Sequence, residues 1–168
     1  MDVGIRLGES LDEGVVAIPI SPAITPAIVA SPQYLDARGY PKVPEDLKAH
    51  NCLAYRFATS GAIDRWRFSH TNDLSRTLEY EPNGNAIFND DENMIRAALN
   101  GVGLMKHLDL VIEKYLQEGS LVRVLEEWCQ PFPGFYLYVS SGENMPAKIR
   151  ALIDFLIEHR NQLPKFLK

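Results

Sequence analysis

Apolar residues recur along this chain in two rhythms, short β-rich runs and stretches at helical spacing, and the two alternate nearly to its end. Val3 to Leu7 and Gly14 to Ile20 predict strands, the second carrying Val15, Val16, Ile18 and Ile20. Pro22 and Pro26 bracket a turn-rich link before a third apolar run, Ala27 to Ala30. Ser31 suits a helix N-cap and Pro32 the first helical position, where a missing N–H costs nothing, and Gly39 stops that helix. Pro44 opens a turn over Glu45 to Ala49, ahead of a strand from Cys52 to Arg56.

The small, polar stretch Ala58 to Asp64 predicts a surface loop. Trp66 to Phe68 and Thr77 to Tyr80 predict an antiparallel pair reversed at His70 to Asp73, followed by a turn at Pro82 to Gly84 and a strand from Asn85 to Phe88. Asn89 or Asp90 caps the next helix, whose stripe is Met94, Ile95, Ala98 and Leu99 and whose first turn concentrates Asp90, Asp91 and Glu92. Gly101 and Gly103 end it around a small strand, Val102 to Met105, and a helix from about Asp109 to Glu118 stops at Gly119. Leu121 to Leu125 and Phe135 to Val139 are the last strands. Pro146 opens a closing helix in which Ile149, Leu152, Ile153, Leu156 and Ile157 form one buried face.

This alternation predicts an α/β fold with a mixed open sheet, not a barrel or a bundle. With 168 residues, 46% of them hydrophobic and 23% charged, the chain has the composition of a soluble globular domain. Its 22 acidic against 17 basic side chains give a net charge of -5, the wrong sign for gripping a phosphate backbone. No apolar run approaches the length of a membrane span, and residues 1 to 25 lack the pattern of a signal peptide, so a cytoplasmic location is expected.

Catalytic chemistry finds little footing. His50, His70, His107 and His159 are scattered without metal-ligand spacing, so neither a metal nor a cofactor is expected. His107 and Asp109 have the chemistry of a base and its orienting partner, but no serine or cysteine stands in a nucleophile elbow, and an enzyme is not expected. Cys52 and Cys129 each lie among apolar or aromatic residues and read as buried, inert thiols.

Several local motifs then fall into a familiar order. Asp2-Val3-Gly4-Ile5-Arg6-Leu7-Gly8-Glu9, Val29-Ala30-Ser31-Pro32-Gln33-Tyr34-Leu35, Gly39, Pro41, Pro44, Asp46-Leu47 and His50-Asn51-Cys52-Leu53 resemble the co-inducer-binding domain of LysR-type transcriptional regulators. Trp66-Arg67-Phe68, Asn89-Asp90, Ala97 to Leu104, Glu118 to Leu125 and the closing helix continue the resemblance over about residues 2 to 160. It implies a fold similar to a type 2 periplasmic binding protein, two α/β lobes with a small metabolite between them. Residues 31–138 are then one complete lobe and residues 1–30 with 139–168 part of the other. The resemblance further implies a small-molecule effector, an organic acid among the candidates, and a homo-oligomeric full-length protein that touches DNA through a winged helix-turn-helix domain. That domain and the start of the first lobe have no counterpart ahead of Met1, so the chain reads as a truncated regulatory half. A solute-binding transport protein on the same plan, or a fragment without ligand function, are the alternatives.

Three places offer the convergent donors a metabolite needs. Arg6, Gly8, Glu9 and Ser10 present a guanidinium and a loop of free N–H groups at a strand end, or a surface arginine and a plain turn. Ser31 opens a helix N-terminus that attracts anions, or serves as an ordinary cap. Tyr55 and Arg56, with Asn89 and Asp90 facing them, offer an aromatic wall and a cation, or a solvated strand end.

Overall fold

The computed structural model describes residues 3–7, 15–140 and 145–160. In chain order the elements begin with strands β1 (Val3–Leu7), β2 (Val15–Pro19) and β3 (Pro26–Ala30), helix α1 (Pro32–Arg38), then β4 (Ala54–Tyr55), β5 (Trp66–His70), β6 (Asp73–Tyr80) and β7 (Ile87–Phe88). They continue with α2 (Asp91–Leu99), β8 (Met105–Leu108), α3 (Asp109–Gln117), β9 (Val122–Val124), β10 (Phe135–Ser140) and α4 (Ala147–His159). Two compact units result, one from residues 25–130 and one from 1–24 with 131–168.

The larger unit is built on β3, which pairs antiparallel with β8 on one side and β9 on the other. β4 and β7 pair in parallel, and the bridge Cys52↔Leu104 joins them to β8, giving the order β7-β4-β8-β3-β9. Side chains alternate across this sheet. Ile28 and Ala30 face a core with Tyr34 and Leu35 of α1, the hairpin residues Trp66 and Phe68, and Trp128. Ala27, Val29 and Met105 face a second core with Met94, Ile95 and Ala98 of α2 and Ile112 of α3. Each fully buried aliphatic or aromatic side chain stabilises by about 1.5–3 kcal/mol, so the sheet is held from both faces.

Local cap chemistry acts where it was expected. Ser31 Oγ accepts from the Tyr34 N–H at 3.3 Å, and the Gly39 N–H closes α1 on Leu35 O at 2.7 Å. Asp90, rather than Asn89, caps α2, accepting from the Asn93 N–H at 2.8 Å. The small strand after α2 corrects the expectation: it runs from Met105 to Leu108, not Val102 to Met105, because pairing with β3 decides its register and leaves Val102 partly exposed.

In the smaller unit β10 lies between β1 and β2, antiparallel to both. Leu137 and Val139 pack with Ile20 and with Ile149 and Ile153 of α4, the helical stripe read from the spacing. Leu152 and Ile157, expected on the same buried face, are exposed, as is Phe155, because the packed strip of α4 carries only Ile149, Ile153 and, in part, Leu156.

Cys52 and Cys129 are both buried in the larger unit, and burial pushes each thiol from the ordinary 9.0 up to about 11. The folded state keeps both thiols protonated where an unfolded chain ionises them. Their contribution is therefore whole below about pH 9 and is lost as pH rises from about 9 to about 11. The urea midpoint should be level between about pH 7 and 8.5 and fall beyond 9. Ellman's reagent should find no reactive thiol in native protein at about pH 8 and two after denaturation; a native thiol that reacts at once contradicts the packing.

Candidate functional site

Because β4, β7 and β8 run parallel, their carboxyl ends meet at one edge of the larger sheet, the edge where open α/β sheets hold ligands. The register Tyr55↔Phe88 sets Tyr55 and Arg56 beside Asn89 and Asp90. Tyr55 Oη donates to Asn89 O at 3.4 Å, and the Arg56 N–H donates to Phe88 O at 2.7 Å. The Tyr55 ring meets Phe57 edge-on, centroids 5.7 Å apart. Burial first, then the charges of Asp91 and Asp90, lift the Tyr55 phenol above its ordinary range. Arg56, exposed, stands by strand alternation on the opposite face from Tyr55.

Ser31 is not part of this constellation. β3 runs antiparallel to β8, so the level of Tyr55 is that of Ala27 and His107, and Ser31 lies four residues further along β3. That is roughly 13 Å away along the strand direction, at the other edge. There the hydroxyl is buried and occupied with capping α1. Arg6 is exposed on β1 of the smaller unit, paired across the ladder with Tyr136. Gly8, Glu9 and Ser10 lie outside the described residues.

The structure adds one residue to the edge, His107. Its ring is buried with only 7% of the side chain exposed, and it faces the α2 side of the sheet. The Leu108 N–H donates to Nδ1 at 2.9 Å, so in the neutral ring the proton sits on Nε2. Nε2 makes no hydrogen bond; Asp91 Oδ1 lies 3.5 Å from it. Asp109 does not orient this ring. It accepts from the N–H groups of Thr25 at 3.3 Å and Leu110 at 2.8 Å and lies 3.6 Å from Arg123. The sequence offers Asp109 as the partner of His107; what the ring faces depends on α2.

At the same edge a cavity of about 120 Å³ is lined by Thr25, Arg123, Glu126 and Cys129, among others. It is smaller than the few hundred Å³ a metabolite pocket occupies, so it holds at most part of one. Among the described residues no three His, Cys, Asp or Glu side chains are placed to share a metal ion.

Residues 1–161 match the family described as the LysR substrate binding domain. The chain belongs to this LysR family. A Pseudomonas aeruginosa protein described as a transcriptional regulator is 36% identical over 155 residues, covering 92% of this chain and 50% of that protein. The HTH-type transcriptional regulator PgrR of Escherichia coli is 32% identical over 155 residues, covering 92% of this chain and 51% of that protein. Among solved structures, the regulatory domain of AphB from Vibrio vulnificus superposes with a TM-score of 0.79 at 27% identity, covering 94% of this chain and 75% of that one. The LysR chain therefore has the type 2 periplasmic-binding-protein-like α/β fold. It spans about half the length of these sequence relatives, which are named as regulators of transcription and not as enzymes. Among the described residues no helix is long and apolar enough to cross a membrane.

Proposed function

We propose that this LysR chain is the effector-binding part of a transcriptional regulator, and that a small metabolite binds at the carboxyl edge of the larger sheet. The observation that carries the reading is the convergence there of Tyr55, Asn89, Asp90 and His107 from three parallel strands and the start of α2. The unit of residues 25–130 is the complete lobe, and the unit built from the two chain ends is the partial one. Arg6, exposed on the partial lobe, is proposed as an anion contact of that lobe alone, and Ser31 as the cap of α1. In the full-length protein, metabolite binding biases one of two arrangements and so the posture of DNA-binding domains on a homo-oligomer. DNA is reached only through a winged helix-turn-helix domain outside this chain, and the setting is the cytoplasm.

A metabolite screen by thermal shift tests the reading. A ligand that binds only the folded state stabilises by about 2.7 kcal/mol at a hundredfold excess over Kd. For a chain of this size that raises Tm by roughly 5 °C or more, and the shift grows with the logarithm of ligand concentration. If a broad panel of organic acids, amines, amides and sugars yields no concentration-dependent rise, effector sensing by this chain is refuted.

A further inference from the structure

The start of α2 carries an unusual combination. Helix N-termini ordinarily welcome anions, through free N–H groups and the positive end of the dipole. Here that end is occupied by carboxylates: Asp90 is spent on the cap, Asp91 is 61% exposed, and Glu92 is tied to Arg96. Among the described residues no lysine or arginine pairs with Asp90 or Asp91. Into this acidic end points the His107 Nε2–H, a donor buried with its ring that makes no hydrogen bond and has Asp91 Oδ1 3.5 Å away. Leaving such a group unsatisfied is costly, and an acceptor atom placed beside it recovers the loss. Since Nδ1 is taken by the Leu108 N–H, Nε2 presents a proton and not a lone pair, so a metal ion is the wrong occupant.

We propose that this edge selects a polar ligand that is neutral or cationic: an oxygen of the ligand accepts from His107 Nε2, an amine where present pairs with Asp91, and anions are rejected. The inference deepens the effector-binding reading and rests on it, and it sets organic acids aside as occupants of this edge. Tyr55 supplies the apolar wall beside the start of α2, its Oη donating to Asn89 O at 3.4 Å. Of the other charged groups near this edge, Asp109 on α3 is engaged with Thr25, Leu110 and Arg123, and Arg56 stands on the opposite face of the sheet from Tyr55. Opposite charges about 4 Å apart near a protein surface attract by enough to change affinity tenfold or more, and reversing the sign of the ligand reverses the effect.

Three probes separate the terms, because they share one amide oxygen and differ at the other end: β-alaninamide (cation), propionamide (neutral) and succinamate (anion). Each is titrated into the full 168-residue chain at about pH 7.5, with the His107 ring and the amides of Tyr55, Asn89 and Asp91 followed by NMR. β-Alaninamide and propionamide should shift these signals saturably, with β-alaninamide at least about tenfold tighter than succinamate. Asp91→Asn should remove the advantage of β-alaninamide over propionamide without weakening propionamide. His107→Phe should abolish the shifts of Tyr55 and Asn89, and His107→Gln, which restores a donor, should recover part of them. Succinamate binding as tightly as β-alaninamide, wild-type-like binding by His107→Phe, or no saturable shift with any probe overturns the inference. If the thermal-shift screen still finds a metabolite in that last case, only the inference has failed and the effector-binding reading stands.

Discussion

Gly103→Ala is expected to destabilise the 25–130 unit by about 3 kcal/mol or more, which lowers its urea midpoint well below that of the parent chain. A Cβ at position 103 would stand 2.3 Å from Asn51 O and 3.1 Å from Asn51 Nδ2. Neither atom can withdraw. Asn51 O accepts from the Leu104 N–H at 2.9 Å, the bond that joins β8 to the β4 side of the sheet. Asn51 Nδ2 donates to Val102 O at 2.6 Å and Asn85 Oδ1 at 2.9 Å, while Asn51 Oδ1 accepts from the Asn85 N–H at 2.8 Å. One asparagine thus ties together the entries to β4, β7 and β8, and the added methyl group must break the tie or displace backbone. Gly84→Ala should behave alike, its Cβ meeting Cys52 O at 2.4 Å. Gly119→Ala is the control: φ is +72° but nothing lies within 4 Å, so the cost is the left-handed strain alone, about 1 kcal/mol. Urea unfolding followed by tryptophan fluorescence ranks the three, and equal losses at positions 103 and 119 would contradict the close approach.

Trp66→Ala carries the second large effect, an expected loss of about 3–5 kcal/mol. Trp66 is 1% exposed and packs in the core shared by α1, Leu104 and Trp128, with its ring 6.0 Å from that of Tyr80. The rest of the hairpin offers little to replace it, since most of β6 is exposed and the charged pairs of Arg65 and Arg67 with Glu79 lie in water, where such bridges contribute little. Removing the indole therefore opens a cavity and loosens the hairpin together. Limited proteolysis should cut the variant between β5 and β6 before the rest of the unit opens, whereas Trp66→Phe should keep most of the stability. A loss below about 1 kcal/mol would refute the role given to this side chain.

Both effects turn on features a linear reading names without weighing. Trp66 is recognisable as the apolar start of a strand, but its burial comes from β9, α1 and the turn at Trp128 closing over it. Gly103 reads as a helix-ending residue, and the reason only glycine fits is an asparagine brought up from position 51. The candidate site divides in the same way. Tyr55, Arg56, Asn89 and Asp90 were legible as the ends of two strands and the start of a helix, and parallel pairing sets them together. Ser31 was legible as a cap and remains one, at the far edge. His107 was visible as one of four scattered histidines and as a partner for Asp109, not for Asp91, because the Asp91 it faces belongs to another element.

What the sequence determined by itself is whatever acts within a few residues: the cap at Ser31, a cap for α2 at Asn89 or Asp90, the stops at Gly39 and Gly119, the helical spacing of α4 and the alternating order of strands and helices. These follow from short-range sterics, hydrogen bonding and periodicity, which need no distant partner. The tertiary structure alone decided the three-residue shift of β8, the separation of Ser31 from Tyr55, and the meeting of His107 with the acidic start of α2. Each of those depends on strand direction and register, and they are chosen by burying two apolar faces of one sheet at once, a condition that no single segment of the chain can express.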